Sequence, residues 1–151
     1  MFGKEKSPVW VIIKAAFEEA RLRGDRRMGT EHLLLGLLHH DASARALGVD
    51  VAAARAALDE LDRAALRMLG LEIGDAPKTP RKHPAVPNTA LTSSARAVLN
   101  AAIKATTRKT RDAETPRHLA LGLLAQTRPD PAAQVIDQLG LDRAAIRARV
   151  A

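Results

Sequence analysis

The chain has no cysteine and no tyrosine, and only three aromatic side chains, Phe2, Trp10 and Phe17, in 151 residues. The missing thiols exclude disulfides, thiolate metal centres and cysteine catalysis. With so few aromatic rings, a core must be assembled from Leu, Ala, Val and Ile. Ala- and Leu-rich segments without β-branched or aromatic runs point to an all-α fold. Long apolar runs are missing too: Val9–Ile13 and Leu33–Leu38 are far too short to cross a bilayer. The opening residues, Met-Phe-Gly-Lys-Glu-Lys, hold no apolar signal core, so a cytoplasmic location is expected. No Gly-x-x-x-x-Gly-Lys-Ser/Thr phosphate loop occurs, and the length suits one domain or two small halves sharing a core.

What is present is a motif that occurs twice. Thr30-Glu31-His32-Leu33-Leu34-Leu35-Gly36-Leu37-Leu38 returns as Pro116-Arg117-His118-Leu119-Ala120-Leu121-Gly122-Leu123-Leu124, identical at six of the eight positions from Glu31 and Arg117 onward. Leucines on every side of a helix predict burial on every side. Thr30 is placed to cap the first copy, and Thr115-Pro116 to open the second. At the 86-residue offset between His32 and His118, Ile12, Ile13, Ala16 and Phe17 meet Val98, Leu99, Ala102 and Ile103. The expected organisation is therefore one domain over 1–151, with repeat one at 1–70, a Pro-rich linker at 71–90 and repeat two at 91–151. Each repeat reads as four helices, eight in all, from a single duplication.

The helix boundaries follow from local chemistry. Ser7-Pro8 opens the first helix, with Val9, Ile12, Ile13, Ala16, Phe17 and Ala20 on one face. A short helix fits Ala42–Leu47 before Gly48. Asp50 caps a fourth helix whose stripe is Leu58, Leu61, Ala65 and Leu69, and Gly70 suits the left-handed residue after it. Thr92 caps the fifth, Asp130-Pro131 opens the seventh, and Asp142 caps the last. Pro77, Pro80, Pro84 and Pro87 keep the linker out of regular helix.

The formal charge is +7. Residues 1–69 are nearly balanced, with 11 basic and 10 acidic side chains, whereas residues 91–151 carry 10 and 5. The excess gathers at Lys104, Arg108, Lys109 and Arg111, where a helix is expected to end and cations complement its dipole. A basic nucleic-acid-associated protein is the alternative that this charge permits, and a solvated helix end is the plainer account. His32 and His118 fall in separate repeats, which suits hydrogen-bonded structural histidines better than a metal or catalytic pair. No spacing supports a Ser-His-Asp or paired-carboxylate site, so no enzyme activity, cofactor or metal is expected.

The segments Met1-Phe2-Gly3, Glu18-Glu19-Ala20, Gly29-Thr30-Glu31-His32-Leu33-Leu34-Leu35-Gly36-Leu37 and Leu47-Gly48-Val49-Asp50 resemble the Clp N-terminal (Clp repeat) domain of the ClpA and ClpC unfoldases, closest to the ClpC type. The resemblance runs over essentially the whole chain. It implies a non-catalytic module that docks substrates, adaptors or client proteins for a ClpC-type unfoldase feeding a ClpP protease. A chain of this length reads as a stand-alone adaptor or decoy, or as the recognition domain of an unfoldase.

Some members of that family bind phosphoarginine through one site per repeat. In this chain the resemblance points to Glu31, with hydroxyls at Ser7 and Thr30. The second repeat has Arg117 where the glutamate is expected, which would repel a guanidinium, so at most one such site is expected. An acid in a first helical turn is also favourable without any ligand. Cyclic-peptide antibiotics bind actinobacterial members near the N-terminus, which by resemblance points to Phe2, Leu91 and Arg96. Phe2 packing the N-terminus onto the fold is the equally plain account. The implied partners are thus proteins or peptide-like ligands, without nucleic acid or membrane.

Overall fold

A computed structural model describes residues 7–71 and 83–150. Among them the chain forms eight helices: α1 (Pro8–Leu22), α2 (Thr30–Leu38), α3 (Asp41–Leu47), α4 (Val51–Met68), α5 (Ser93–Lys104), α6 (Arg111–Leu124), α7 (Pro131–Gln138) and α8 (Arg143–Val150). Among the described residues, pairing of the β type is confined to one isolated bridge, between Met28 and Leu91. The fold is all-α, as the composition requires. None of the described helices is long and apolar enough to cross a membrane.

α2 is the centre. Eight of its nine residues are buried, including all five leucines. At roughly 1.5–3 kcal/mol per buried leucine, this helix is the largest local contribution to the core. It lies against α1 in the most extensive helix pair of the fold, and also touches α3, α4, α5, α6 and α7. Gly36 sets the α1–α2 spacing. A Cβ there would fall inside contact distance of the Ile12 carbonyl oxygen and 2.9 Å from both the Cβ and the amide nitrogen of Ala16. The second motif helix, α6, packs on α5, α1 and α8 and meets α2 directly. Contacts between the first four and last four helices come in matching pairs: α1 with α6 and α5 with α2, α3 with α8 and α7 with α4.

Several boundaries follow the sequence. Asp50, Thr92 and Asp142 accept from the backbone N–H three residues on, and Asp130 from those of Ala132 and Ala133. Gly48 and Gly70 take positive φ after α3 and α4. Others are corrected. Thr30 is the first helical residue of α2 and Gly29 holds the cap position. α6 does not open at Thr115-Pro116. It begins at Arg111 and carries Pro116 inside it, because Asp112 and Glu114 supply a favourable acidic first turn one turn earlier. Pro116 removes one donor there, and the Thr115 hydroxyl, fully buried, has no partner among the described residues. His118 consequently lies mid-helix and half-buried, unlike the buried His32. Arg111 sits at a helix start, so only Lys104 of the basic cluster closes a helix. The α4 stripe also fails at its end: Leu58 is buried, Ala65 is exposed, and Leu69 is 76% exposed.

Of the expected linker 71–90, residues 72–82 lie outside the described residues. The part from 83 to 87 runs extended along α1, turns at Asn88 and Thr89, and meets the α2 entrance at Ala90 and Leu91. Met28 donates to the Ala90 carbonyl at 2.8 Å, Thr92 donates to the Met28 carbonyl at 3.0 Å, and Arg21 reaches the His83 carbonyl.

Candidate peptide-recognition surface

Helix α1 buries Ile12, Ala16, Glu19 and Ala20 and turns Trp10, Val11 and Leu22 outward. An amphipathic helix needs no apolar residue on its outer face, so these three are informative. Trp10 is 43% exposed and stands between two grooves. One, of about 380 Å³, is floored by Ile13 and Phe17 and walled by Ala85, Val86 and Asn88 of the extended segment, with Lys14 and Arg21 at its edge. The other, of about 610 Å³, runs between α1 and α4 past Val11, Leu22, His39 and Arg55. Two of the three aromatic side chains of the whole protein therefore line one surface groove.

The α1–α4 groove is bridged by ion pairs. Glu19 is 2% exposed and sits on the α1 face that otherwise carries Ile12, Ala16 and Ala20. Arg55 of α4 binds its carboxylate at 2.5 Å, and His39 lies 3.7 Å away. Arg23 spans to Asp59 and Asp62 on α4. An acid at a core position of the helical stripe demands a partner. That spacing was visible in the sequence; Arg55 as the partner was not.

A second, polar mouth lies at the start of α2. The Gly29 N–H donates to His32 Nδ1 at 2.9 Å, which places the ring proton on Nε2, donating to Asp25 at 2.7 Å. His32 thus fills the place that a glutamine or glutamate takes in a capping box. The structural-histidine expectation holds for this residue. Glu31 folds back over Gly29, its carboxylate in the space that a Cβ would occupy, so a larger residue there would have to displace the end of that side chain. Burial raises the Glu31 carboxyl above its ordinary 4.5, and Asp25 and Asp130 push in the same direction, while His32 and its own backbone N–H work against them. The methyl group of Thr92, the cap of α5, closes the other side of Gly29.

The residues singled out from sequence do not all meet. The Ser7 hydroxyl donates to Asp112 of α6, and Ser7 makes no side-chain cap for α1. The Thr30 hydroxyl donates to Asp130 at 2.8 Å and receives the Ala132 N–H at 3.3 Å, tying α2 to the start of α7. The hydroxyl-bearing helix start beside Glu31 is therefore that of α5, at Thr92. Leu91 is half-buried against the core, with its backbone bridged to Met28. Arg96 is exposed and donates to the Thr89 carbonyl at 3.2 Å. Leu91 ends the segment that walls the Trp10–Phe17 groove and Arg96 lies on α5, and neither lines that groove. Phe2 lies outside the described residues. Sequence reading missed Trp10, whose place in the α1 helical spacing, two residues before Ile12, marks it as outward-facing.

Residues 6–78 match the family described as the Clp repeat (R) N-terminal domain. In fold, the chain resembles the crystal structure of the N-terminal domain of the caseinolytic protease associated chaperone ClpD from Arabidopsis thaliana. The TM-score is 0.61 at 21% sequence identity, over 99% of this chain and 94% of that one.

Proposed function

We propose that this chain, with a Clp repeat domain match in its first half and the fold of a Clp N-terminal domain throughout, works by binding: it recognises protein segments for a ClpC-type unfoldase. The observation that carries this reading is the groove on the outer face of α1, where Trp10 and Phe17 meet the extended 85–88 segment. Aromatic side chains at a surface supply large contact area at small entropic cost, and they dominate protein recognition energetics. The groove has an apolar floor with Lys14, Glu18 and Arg21 on its rim, which suits an apolar peptide segment whose backbone stays polar. Cyclic-peptide antibiotics fit the same description, although Leu91 and Arg96, to which the resemblance points, lie outside the lining of this groove.

The Glu31 mouth supports a second contact of the same module. A carboxylate kept buried beside Asp25 and Asp130 costs stability and is relieved by a cation. A guanidinium satisfies it with paired N–H donors, and the α5 start, capped by Thr92, is the helix N-terminus that would receive an attached phosphoryl group. One such mouth is expected, since Arg117 occupies the corresponding place in α6. Action as a substrate- or adaptor-docking module, an adaptor or a decoy, in the cytoplasm, completes the reading, with the two-repeat division at 1–70 and 91–151 as its architecture.

Trp10 is the only tryptophan, so its fluorescence reports on the groove directly. Titration with a cyclic apolar heptapeptide should shift the emission to shorter wavelength and saturate. Trp10→Ala should abolish binding by calorimetry and leave the melting temperature within a few degrees, because the side chain is half exposed. Saturable binding that survives Trp10→Ala, or no emission change with any apolar peptide or unfolded client, refutes the assignment.

A further inference from the structure

At the junction of α3, α6 and α8 lies a cleft of about 180 Å³ whose polar lining is His40, Ser43, Arg117 and Arg149. Among the described residues no carboxylate lines it. Ser43 is 7% exposed, and its hydroxyl lies 2.7 Å from His40 Nδ1. Arg149 donates through Nε to the Ala46 carbonyl at 2.8 Å, which fixes the guanidinium and leaves its terminal nitrogens without a carboxylate partner among the described residues. Arg117 likewise meets no acid among the described residues, and its Nη2 lies 3.3 Å from His118 Nε2. This contrasts with Arg23, Arg55 and Arg143, each of which meets a carboxylate within 3 Å.

Guanidiniums that are held by the scaffold and not neutralised have already lost the freedom that binding would otherwise remove. Their forked donors match an oxyanion. The cleft has room for one side-chain group, and is too small for a helix or a duplex. Pro116 and Ala120 give it an apolar back wall that excludes water from one side.

We propose that this cleft is a second recognition site, opposite in polarity to the Glu31 mouth, that takes a single oxyanion carried on a peptide segment of a partner protein. Arg117 and Arg149 grip the oxyanion, and Ser43 holds His40 in place beside them. The site is independent of the Trp10 groove.

The test uses the full chain and three nonapeptides that differ only at the centre: phosphoserine, glutamate or serine. Inorganic phosphate and a short DNA duplex are run alongside. Binding is followed by calorimetry and by amide and Arg Nε–H shifts in two-dimensional NMR. The phosphoserine or the glutamate peptide should bind at least ten times more tightly than the serine peptide and move the Arg149 Nε–H signal. Whichever of the two is tighter identifies the oxyanion as phosphoryl or carboxylate. Arg117→Gln and Arg149→Gln should each weaken it by tenfold or more. Arg149 ties α8 to α3, so Arg117→Gln, which removes no bond between helices, decides the matter if the other variant unfolds. The proposal is overturned if all three peptides bind alike or not at all, or if Arg117→Gln binds as the parent does. It is also overturned if inorganic phosphate matches the peptide, or if the duplex alone binds through these residues with affinity falling steeply in salt.

Discussion

Replacing either motif glycine by alanine should separate the two copies of the repeated helix, because the same substitution meets different neighbours. An alanine in a helix interior gains about 1 kcal/mol over glycine from backbone entropy. At Gly36 that gain is overwhelmed. The new methyl would lie inside contact with the Ile12 carbonyl and 2.9 Å from Ala16 Cβ, whereas carbon pairs rest near 3.5–4.0 Å. The obstructing atoms belong to the α1 backbone and to the first atom of a side chain, so nothing can rotate away. α1 must retreat along much of its length, opening the largest helix pair of the core. Overpacking of this kind costs about 1–3 kcal/mol before the lost contacts are added, so a net loss of roughly 2 kcal/mol is expected after the helical gain. For a chain of this size that lowers the melting temperature by about 4–8 °C. At Gly122 the neighbour is one methyl of Val98, at 3.2 Å. A shift of a few tenths of an ångström relieves it, and Gly122→Ala should be neutral or raise the melting temperature by up to about 3 °C. Thermal melts followed by circular dichroism, with urea titrations to check that the slope is unchanged, measure both. Equal effects of the two substitutions, or a stable Gly36→Ala protein, would refute the close approach of α1 and α2.

Glu31→Gln should stabilise the protein at pH 7. Burial raises the folded-state carboxyl, so ionised Glu31 destabilises the fold above that raised value. The gain should shrink as pH falls toward the unfolded carboxyl range and vanish below it, and urea unfolding at pH 7 and pH 4 reads the difference. A destabilised variant at pH 7 contradicts the assignment. Arg55→Ala should cost about 2–4 kcal/mol, because it strands the buried Glu19 carboxylate; a loss below about 0.5 kcal/mol would mean that Glu19 finds another partner. Thr115→Val keeps the shape and removes a buried hydroxyl without a partner, so it should stabilise by about 1 kcal/mol, and a loss of stability in the same melts would reveal a hydrogen bond to that hydroxyl.

Much of this fold is a direct consequence of local chemistry. Sparse aromatics and abundant Leu and Ala require helices, and a helix that is leucine on all sides, as at 33–38, has to be central. Short polar side chains at Asp50, Thr92, Asp130 and Asp142 start helices because they satisfy N–H groups within three residues of themselves. These signals act over a few residues, so they can be read along the chain. The errors arose where a helix start is decided from a distance. Thr30 has the chemistry of a cap, but Asp130, a hundred residues on, takes its hydroxyl. Ser7 likewise gives its hydroxyl to Asp112. Thr115-Pro116 has the form of a helix opening, yet the acidic residues before it carry the helix one turn further.

Recognition was legible only in part. Glu31 and the divergence at Arg117 stand out once the two motifs are aligned, because a charge at a helix mouth is a local property. That Thr92 rather than Ser7 closes the mouth depends on the β-type bridge between Met28 and Leu91, which joins segments more than sixty residues apart. The Trp10 groove needs the extended segment at 85–88 for its wall, and the Arg117–Arg149 cleft needs three helices from both ends of the chain. Periodicity and capping are properties of neighbouring residues, so sequence alone determined the helices and their buried faces. Grooves are made by pairs of elements whose approach is set by side-chain volume, as at Gly36, and only the tertiary structure decided where they open.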